Sequence, residues 1–337
     1  MGAQGAELLA EATRGGVVES RHLGHAVVVD ADGGVLYSVG DPWQRSFPRS
    51  SLKPLQSLAA IARGTADRFA YTDAEIAVTC ASHSAEPRHR AAVASILAKI
   101  GCTETDLHCG AHPVSHLPSR DELILAGREP TPIYSNCSGK HSGMLALARL
   151  LGAPTEGYWN GDHPVQLEIQ QVLRHACGMD LGSLHWGIDG CGVPTFYMST
   201  YEMALGFARL CRPESLPDGL APAAARITTV MNREPEMVRG EGGFDSVLMR
   251  ALPGVAASKG GAEGYQCVGL VGRGIGIAIK VDDGSARALA PLMLGLMGMF
   301  DALPSDLPVA LQPLMAPAVL NTRGAPVGEV RSMLPVR

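Results

Sequence analysis

Ser50 and Lys53 stand three positions apart in the stretch RSSLK. A serine hydroxyl becomes a nucleophile when a neighbouring base takes its proton, and a lysine amine serves as that base once burial or nearby positive charge keeps it neutral. Positions i and i+3 share one face of a helix. The pair is thus a workable acyl-transfer device at a helix start. The same spacing also arises by chance, and an N-cap serine followed by a solvated lysine accounts for it without chemistry.

Four further stretches carry reactive side chains. CASHSAEPRH offers Ser82, His83 and Ser84 between an apolar run, read as a strand, and a helix opening near Glu86-Pro87. Such junctions gather backbone N–H groups and display reacting side chains, though Ser84 as a helix cap is the plain alternative. NCSGKHSGML places Cys137, Lys140 and His141 together, and DGCGVPT holds Cys191. Both cysteines sit in turns with glycine or small polar neighbours, whereas structural cysteines favour apolar runs. There is no Cys-x-x-Cys and no histidine pair at helical spacing, so a closed four-ligand zinc site is not indicated. A free thiol pair and a metal site both stay open. ASKGGAEGYQC puts Lys259 ahead of a strand, either reaching a site edge-on or solvated in a loop.

Two other patterns are set aside. VGRGIGIAI imitates a dinucleotide-binding glycine loop but lacks the strand–turn–helix context and the acidic partner. Its alternation suits a strand packed closely on a helix. His108, His112 and His116 recur every four residues, but Pro113 and Pro118 interrupt a helix there, and the segment reads as a loop without a metal role.

The elements that must position these groups follow from pattern. HAVVVDADGGVLYSVGD reads as a β-hairpin, since Asp-Gly and Gly-Gly supply the positive φ of tight turns. FPRSSLKPLQSLAAIARG reads as a helix, with Pro54 in its first turn and Gly64 after its end. Helices follow in HSGMLALARLLGA, HPVQLEIQQVLRHACG, YEMALGFARLC and LAPAAARITTVMNREP. GYQCVGLVGRGIGIAIKVDDG returns to strands, and an apolar helix closes the pattern. Strands from both ends of the chain pairing under a helical middle predict one α/β (α+β) domain over 1–337, with an antiparallel sheet from about 16–45 and 262–290 and the helical part at about 50–250.

Composition agrees with a globular chain. The 337 residues are 46% hydrophobic, and 18% are charged, for a net charge of −5. No basic block suggests nucleic acid or an anionic membrane as partner, and no apolar run is long enough to span a bilayer. The start lacks the basic-then-apolar pattern of a secretory signal. Eight cysteines are then expected as free thiols or metal ligands, in a cytoplasmic protein.

Taken in order, RSSLKPLQ, CASHSAE, NCSGKHSGML, DGCGVPT and KGGAEG resemble the L-asparaginase II family of the Rhizobium etli type, from GGVVES to VDDGSARA and with no departure at these positions. The resemblance implies a fold similar to serine β-lactamases and penicillin-binding proteins. It implies hydrolysis of L-asparagine to L-aspartate and ammonia through a serine acyl-enzyme. It implies two serine–lysine tandems, Ser50 with Lys53 and Ser82 with Lys259, the two lysines lowering each other's pKa. It further implies zinc held by Cys137, Lys140 and Cys191, and a homodimer. Arg49 suits a substrate carboxylate and Asp189 an α-ammonium, with His141 beside them. Two rivals remain open: a penicillin-interacting serine hydrolase, against which count the missing Lys-Thr-Gly strand and export signal, and a non-enzymatic zinc or thiol module.

Overall fold

The hairpin signal DADGG closes on itself. Asp30 Oδ1 accepts from the backbone N–H groups of Asp32 and Gly34, and Gly33 has φ 99°. The structure, a computed structural model, describes residues 5–335. The turn joins β2 (Val17–Asp30) to β3 (Val35–Val39). The other strands of the sheet are β1 (Glu7–Arg14), β4 (Ala256–Gly261), β5 (Tyr265–Leu270), β6 (Ile275–Val281), β7 (Ala318–Leu320) and β8 (Pro326–Ser332).

These eight strands form one antiparallel sheet in the order β7-β8-β1-β2-β6-β5-β4, and β3 pairs with the second half of β2 on the edge whose first half β1 takes. The sheet reaches beyond the expected segments at both ends. Glu7–Arg14 is rich in leucine, alanine and glutamate, which hides its strand character. The last hairpin follows the Asn-Thr-Arg-Gly turn at 321–324, where Asn321 Oδ1 accepts from Arg323 and Ala325.

Strand periodicity decides the layers. Val27, Val29 and Ala278 face the helical middle, while Ala26, Val28, Ile277 and Ile279 face the Leu289–Met299 helix. Both faces are therefore dry, and each fully buried Val or Ile contributes about 1.5–3 kcal/mol. Gly276 lets β6 lie against the Thr200–Leu210 helix: a Cβ there would stand 1.8 Å from the Ala204 carbonyl oxygen.

The helical middle holds Lys53–Ala62, Asp73–Thr79, Pro87–Lys99, Leu117–Leu125, Ser138–Leu151, Pro164–Cys177, Thr200–Leu210, Ala221–Arg233 and Phe244–Ala251. One expectation fails here. The apolar run before CASHS is a helix, Asp73–Thr79, and not a strand. Thr72 and Glu75 form a reciprocal capping box at its start, a signal that outweighs the β-branched residues that follow. Ser84 does not cap the next helix; Glu86 does, with His89 closing the box. None of the described helices is long and apolar enough to cross a membrane.

Candidate active site

Arg49–Leu52 forms a 3₁₀ turn that runs straight into the Lys53–Ala62 helix, with the Lys53 N–H donating to the Ser50 carbonyl. Pro54 occupies the first helical turn, where its missing N–H costs nothing. Arg49 takes φ 51°, unusual for a side chain with a Cβ. The turn lies against the end of β4, where a Cβ on Gly261 would stand 2.4 Å from the Pro48 carbonyl oxygen. So the edge strand and the serine-bearing turn meet over a glycine.

Lys53 points inward and is fully buried. Its Nζ lies 2.6 Å from the Ala81 carbonyl, 3.0 Å from Ser82 Oγ and 3.2 Å from the Asn136 carbonyl. Lys259 is equally buried and sits inside β4, not ahead of it. Its Nζ lies 3.0 Å from the same Ser82 Oγ and 2.7 Å from the Gly260 carbonyl. Two lysine amines thus share one buried hydroxyl. Ser50 is half-buried, and its hydroxyl makes no hydrogen bond among the described residues, so the Ser50–Lys53 contact expected from the sequence is not made: Lys53 turns to Ser82 instead. Burial lowers the pKa of Lys53. Burial, with help from Lys53, brings Lys259 down to about 7 against the opposing pull of Asp245.

The Ser82 loop is pinned from several sides. Its N–H donates to the Val238 carbonyl. His83, buried and held neutral by desolvation, accepts from the Ala85 N–H at Nδ1, so its Nε2–H donates to Ser138 Oγ at 2.9 Å. Behind the loop, the Ser138–Leu151 helix packs backbone to backbone on Asp73–Thr79. A Cβ on Gly139 would stand 2.1 Å from the Val78 carbonyl oxygen, and one on Gly143 would stand 3.1 Å from Thr79 Cγ2. The two glycines of SGKHSG are spacers that bring Lys140 close to the Ser82 loop.

Cys137 precedes that helix as its N-cap residue, and Lys140 Nζ lies 3.0 Å from Cys191 Sγ. Asp189 Oδ2 is 4.0 Å from the same amine. A hydrogen bond from Cys137, reinforced by the Lys140 ammonium, lowers the pKa of Cys191; the same bond and burial raise that of Cys137. Although burial opposes it, the neighbouring thiolate raises that of Lys140. No cluster of three His, Cys, Asp or Glu among the described residues has metal-binding geometry. A metal here would need the lysine nitrogen as its third donor. Two sulfurs and one nitrogen on a dry surface suit zinc, provided the metal displaces the lysine proton. On that donor set the residues fit.

Arg49 and Asp189 meet each other: Nε to Oδ1 is 2.6 Å. Burial would raise the Asp189 carboxyl, but Lys140 and Arg49 hold it below the usual range. His141 is buried, its Nδ1 2.6 Å from the Tyr158 hydroxyl and its Nε2 without a partner among the described residues. The three spaced histidines do separate work. His108 stacks on Trp159, His112 accepts from the Asn136 N–H, and His116 caps Leu117–Leu125. A 660 Å³ groove lined by His112, Arg120, Ile124 and Arg128 contains neither serine nor either tandem lysine.

Sequence reasoning missed Asp245, Ser258 and Gln266, which surround Lys259 from behind. One available signal was lysine usage. The chain has only five lysines, and Lys53, Lys140 and Lys259 are three of them.

The chain has no match among curated protein sequences. Among solved structures it is similar to Mglu in its glutamate form, at 14% identity and TM-score 0.47, covering 84% of this chain and 62% of that one. The chain therefore spans about three fifths of Mglu's length. It is also similar to a β-lactamase from Mycobacterium bovis, at 14% identity and TM-score 0.39, covering 77% of this chain and 87% of that one. A covalent complex of the Bacillus subtilis glutaminase YbgJ with 5-oxo-L-norleucine gives 14% identity and TM-score 0.39, with 82% and 86% covered. In sequence, a family model described as L-asparaginase II matches residues 10–332, and the chain belongs to that family.

Proposed function

We propose that this protein is an asparaginase of the Rhizobium etli type, hydrolysing L-asparagine to L-aspartate and ammonia through a serine acyl-enzyme. The observation that carries the reading is Ser82 Oγ held at 3.0 Å from both Lys53 Nζ and Lys259 Nζ. Burying either lysine costs desolvation free energy that an apolar core residue would avoid.

In this reading Ser50 Oγ attacks the side-chain amide carbon and its proton goes to Lys53. Ser82 gives its proton to the departing nitrogen and takes one from the Lys259 ammonium. Ammonia leaves and an ester joins the aspartyl group to Ser50. Water then attacks the ester. Its proton returns through Ser82 to Lys259, while Lys53 returns its proton to Ser50. Arg49 and Asp189 form an opposite-charge pair 2.6 Å apart, which suits the α-carboxylate and α-ammonium of an amino acid. His141, next to Lys140 in the chain, is assigned to the substrate end in this reading, although its ring is buried against the Tyr158 hydroxyl. Zinc, when bound by Cys137, Lys140 and Cys191, would supply fixed positive charge at the substrate-holding end.

The test is asparagine-dependent ammonia release by the wild type and by Ser50→Ala. The expected result is activity in the wild type and a loss of about 10³-fold or more in the variant. A wild type that releases no ammonia from asparagine defeats the reading. The doubly bonded hydroxyl supports a second assignment, in which Ser82 is the nucleophile. Mass analysis of a trapped acyl-enzyme decides between the two serines.

A further inference from the structure

Beside Lys259 lies a carboxylate for which the proposed reaction has no stated use. Asp245 is in the first turn of the Phe244–Ala251 helix and is 2% exposed. Its Oδ1 accepts from Ser258 Oγ at 2.6 Å and from Gln266 Nε2 at 2.8 Å. Its Oδ2 accepts from the Gly260 N–H at 2.9 Å and lies 4.0 Å from Lys259 Nζ. Gln266 also donates to Ser258 Oγ. The Gly260 peptide is therefore tied at both ends, its N–H to Asp245 and its carbonyl to Lys259.

A buried carboxylate is expensive unless it is paired and hydrogen-bonded. Here three neutral donors hold it in place, and the charge within reach is Lys259. The other groups facing Lys259 do not supply an equivalent anion. Lys53 lies across Ser82 and Arg239 ends the Pro235–Arg239 turn; both oppose a positive charge. Cys80, Cys137 and Cys267, from the Ser82 loop, the Ser138 helix start and β5, are all pushed towards the neutral thiol. Burial is the main opponent of Asp245's own ionisation, yet its carboxyl stays below the usual range because of Lys259 and Arg239.

We infer that Asp245 is a positioning residue of this site: its buried carboxylate keeps Lys259 as an ammonium and so fixes Ser82 Oγ as the acceptor of a lysine proton. This rests on the asparaginase reading, in which Lys259 must hold a proton to give.

The experiment has two arms on the full chain. The first is the pH profile of kcat/KM for asparagine in the wild type, Asp245→Asn and Ser258→Ala. Activity that needs protonated Lys259 falls as pH rises through its titration. Removing the carboxylate charge moves that alkaline limb to lower pH by about one to three pH units. Ser258→Ala leaves the charge and leaves the limb in place. A residue that merely held the fold would lower the rate at every pH without moving the limb. The second arm labels lysine Nζ with ¹⁵N and follows the five resonances, assigning Lys259 by their loss in Lys259→Arg. The wild type is expected to show an ammonium at pH 6. A neutral amine there, or a folded Asp245→Asn whose limb and resonance titrate as in the wild type, overturns the inference. Even if Asp245→Asn does not fold, a neutral Lys259 amine in the wild type at pH 6 overturns the inference. A wild type inactive on asparagine overturns the asparaginase reading alone, since the ¹⁵N titration does not depend on turnover.

Discussion

Ser82 Oγ carries one proton, and two lysine amines stand 3.0 Å from it. The hydroxyl can donate to only one of them, so the other donates to it. This asymmetry makes the cluster directional, and Asp245 beside Lys259 sets which way it runs. In the proposed reaction, substrate recognition is a separate matter of charge. Arg49 and Asp189 are 30% and 10% exposed at the side chain, so an amino acid can reach them without opening the core. Arg49→Ala is expected to raise KM for asparagine about ten- to a hundredfold, the equivalent of one lost charge-assisted hydrogen-bond pair, with a smaller effect on kcat. Steady-state ammonia release checks it, and an unchanged KM removes Arg49 from the pocket. For the sulfur cluster, Cys191→Ala is expected to take zinc from about one per chain to near none, measured by elemental analysis after dialysis. Equal zinc in variant and wild type removes Cys191 from the ligand set. At this scale the crowding of reactive types at Cys137, Lys140 and His141 marked the segment out in the sequence, and the structure sets Lys140 beside Cys191. The sequence was silent at Asp245, because a lone aspartate in an amphipathic helix looks the same whether it faces water or Lys259.

Between elements, glycine spacing sets the geometry. Gly139 and Gly143, one helical turn apart, bring the Ser138–Leu151 helix against the Val78 carbonyl and Thr79. The Ser82 loop begins only a few residues later, so a wider separation would draw the lysines and the thiols apart. Gly139→Ala is expected to destabilise the fold by about 1–3 kcal/mol from overpacking, read as a lower thermal midpoint. It should also reduce activity more than Gly219→Ala, at a position with ordinary φ and no atom near its missing Cβ. Equal effects of the two substitutions would contradict the spacer role. Helix starts with Pro in the first turn, at Pro54 and Pro87, were legible from local chemistry, whereas Ser84, offered as a cap, is not one. Asp73–Thr79 was not legible, because Ile-Ala-Val-Thr suits a strand unless the Thr72–Glu75 box is noticed first.

For the whole molecule, the sheet is built from both ends of the chain. Ala10 pairs with Ser332, and Asp30 pairs with Ile275. Truncation before Ala318 strips β8 from β1 and leaves the buried run Leu9, Ala10 and Ala12 beside an open edge. Such an edge recruits other chains. The truncated protein is expected to elute as aggregate in size-exclusion chromatography, and a monodisperse product would show that β8 is dispensable. The outline of this layered fold followed from the period-2 runs and the helical middle. The pairing order did not, because partners so distant in sequence leave no mark in either segment alone.

That topology also sets when the serine–lysine cluster is first complete during synthesis. Ser50, Lys53 and Ser82 leave the ribosome early, but Lys259 and Asp245 arrive only with β4 and the helix before it. β2 then waits for β6 before its second edge is filled. A nascent chain therefore holds its serines long before it holds the second lysine that poises one of them, and the last third of translation switches on a site whose first residues were made near the beginning.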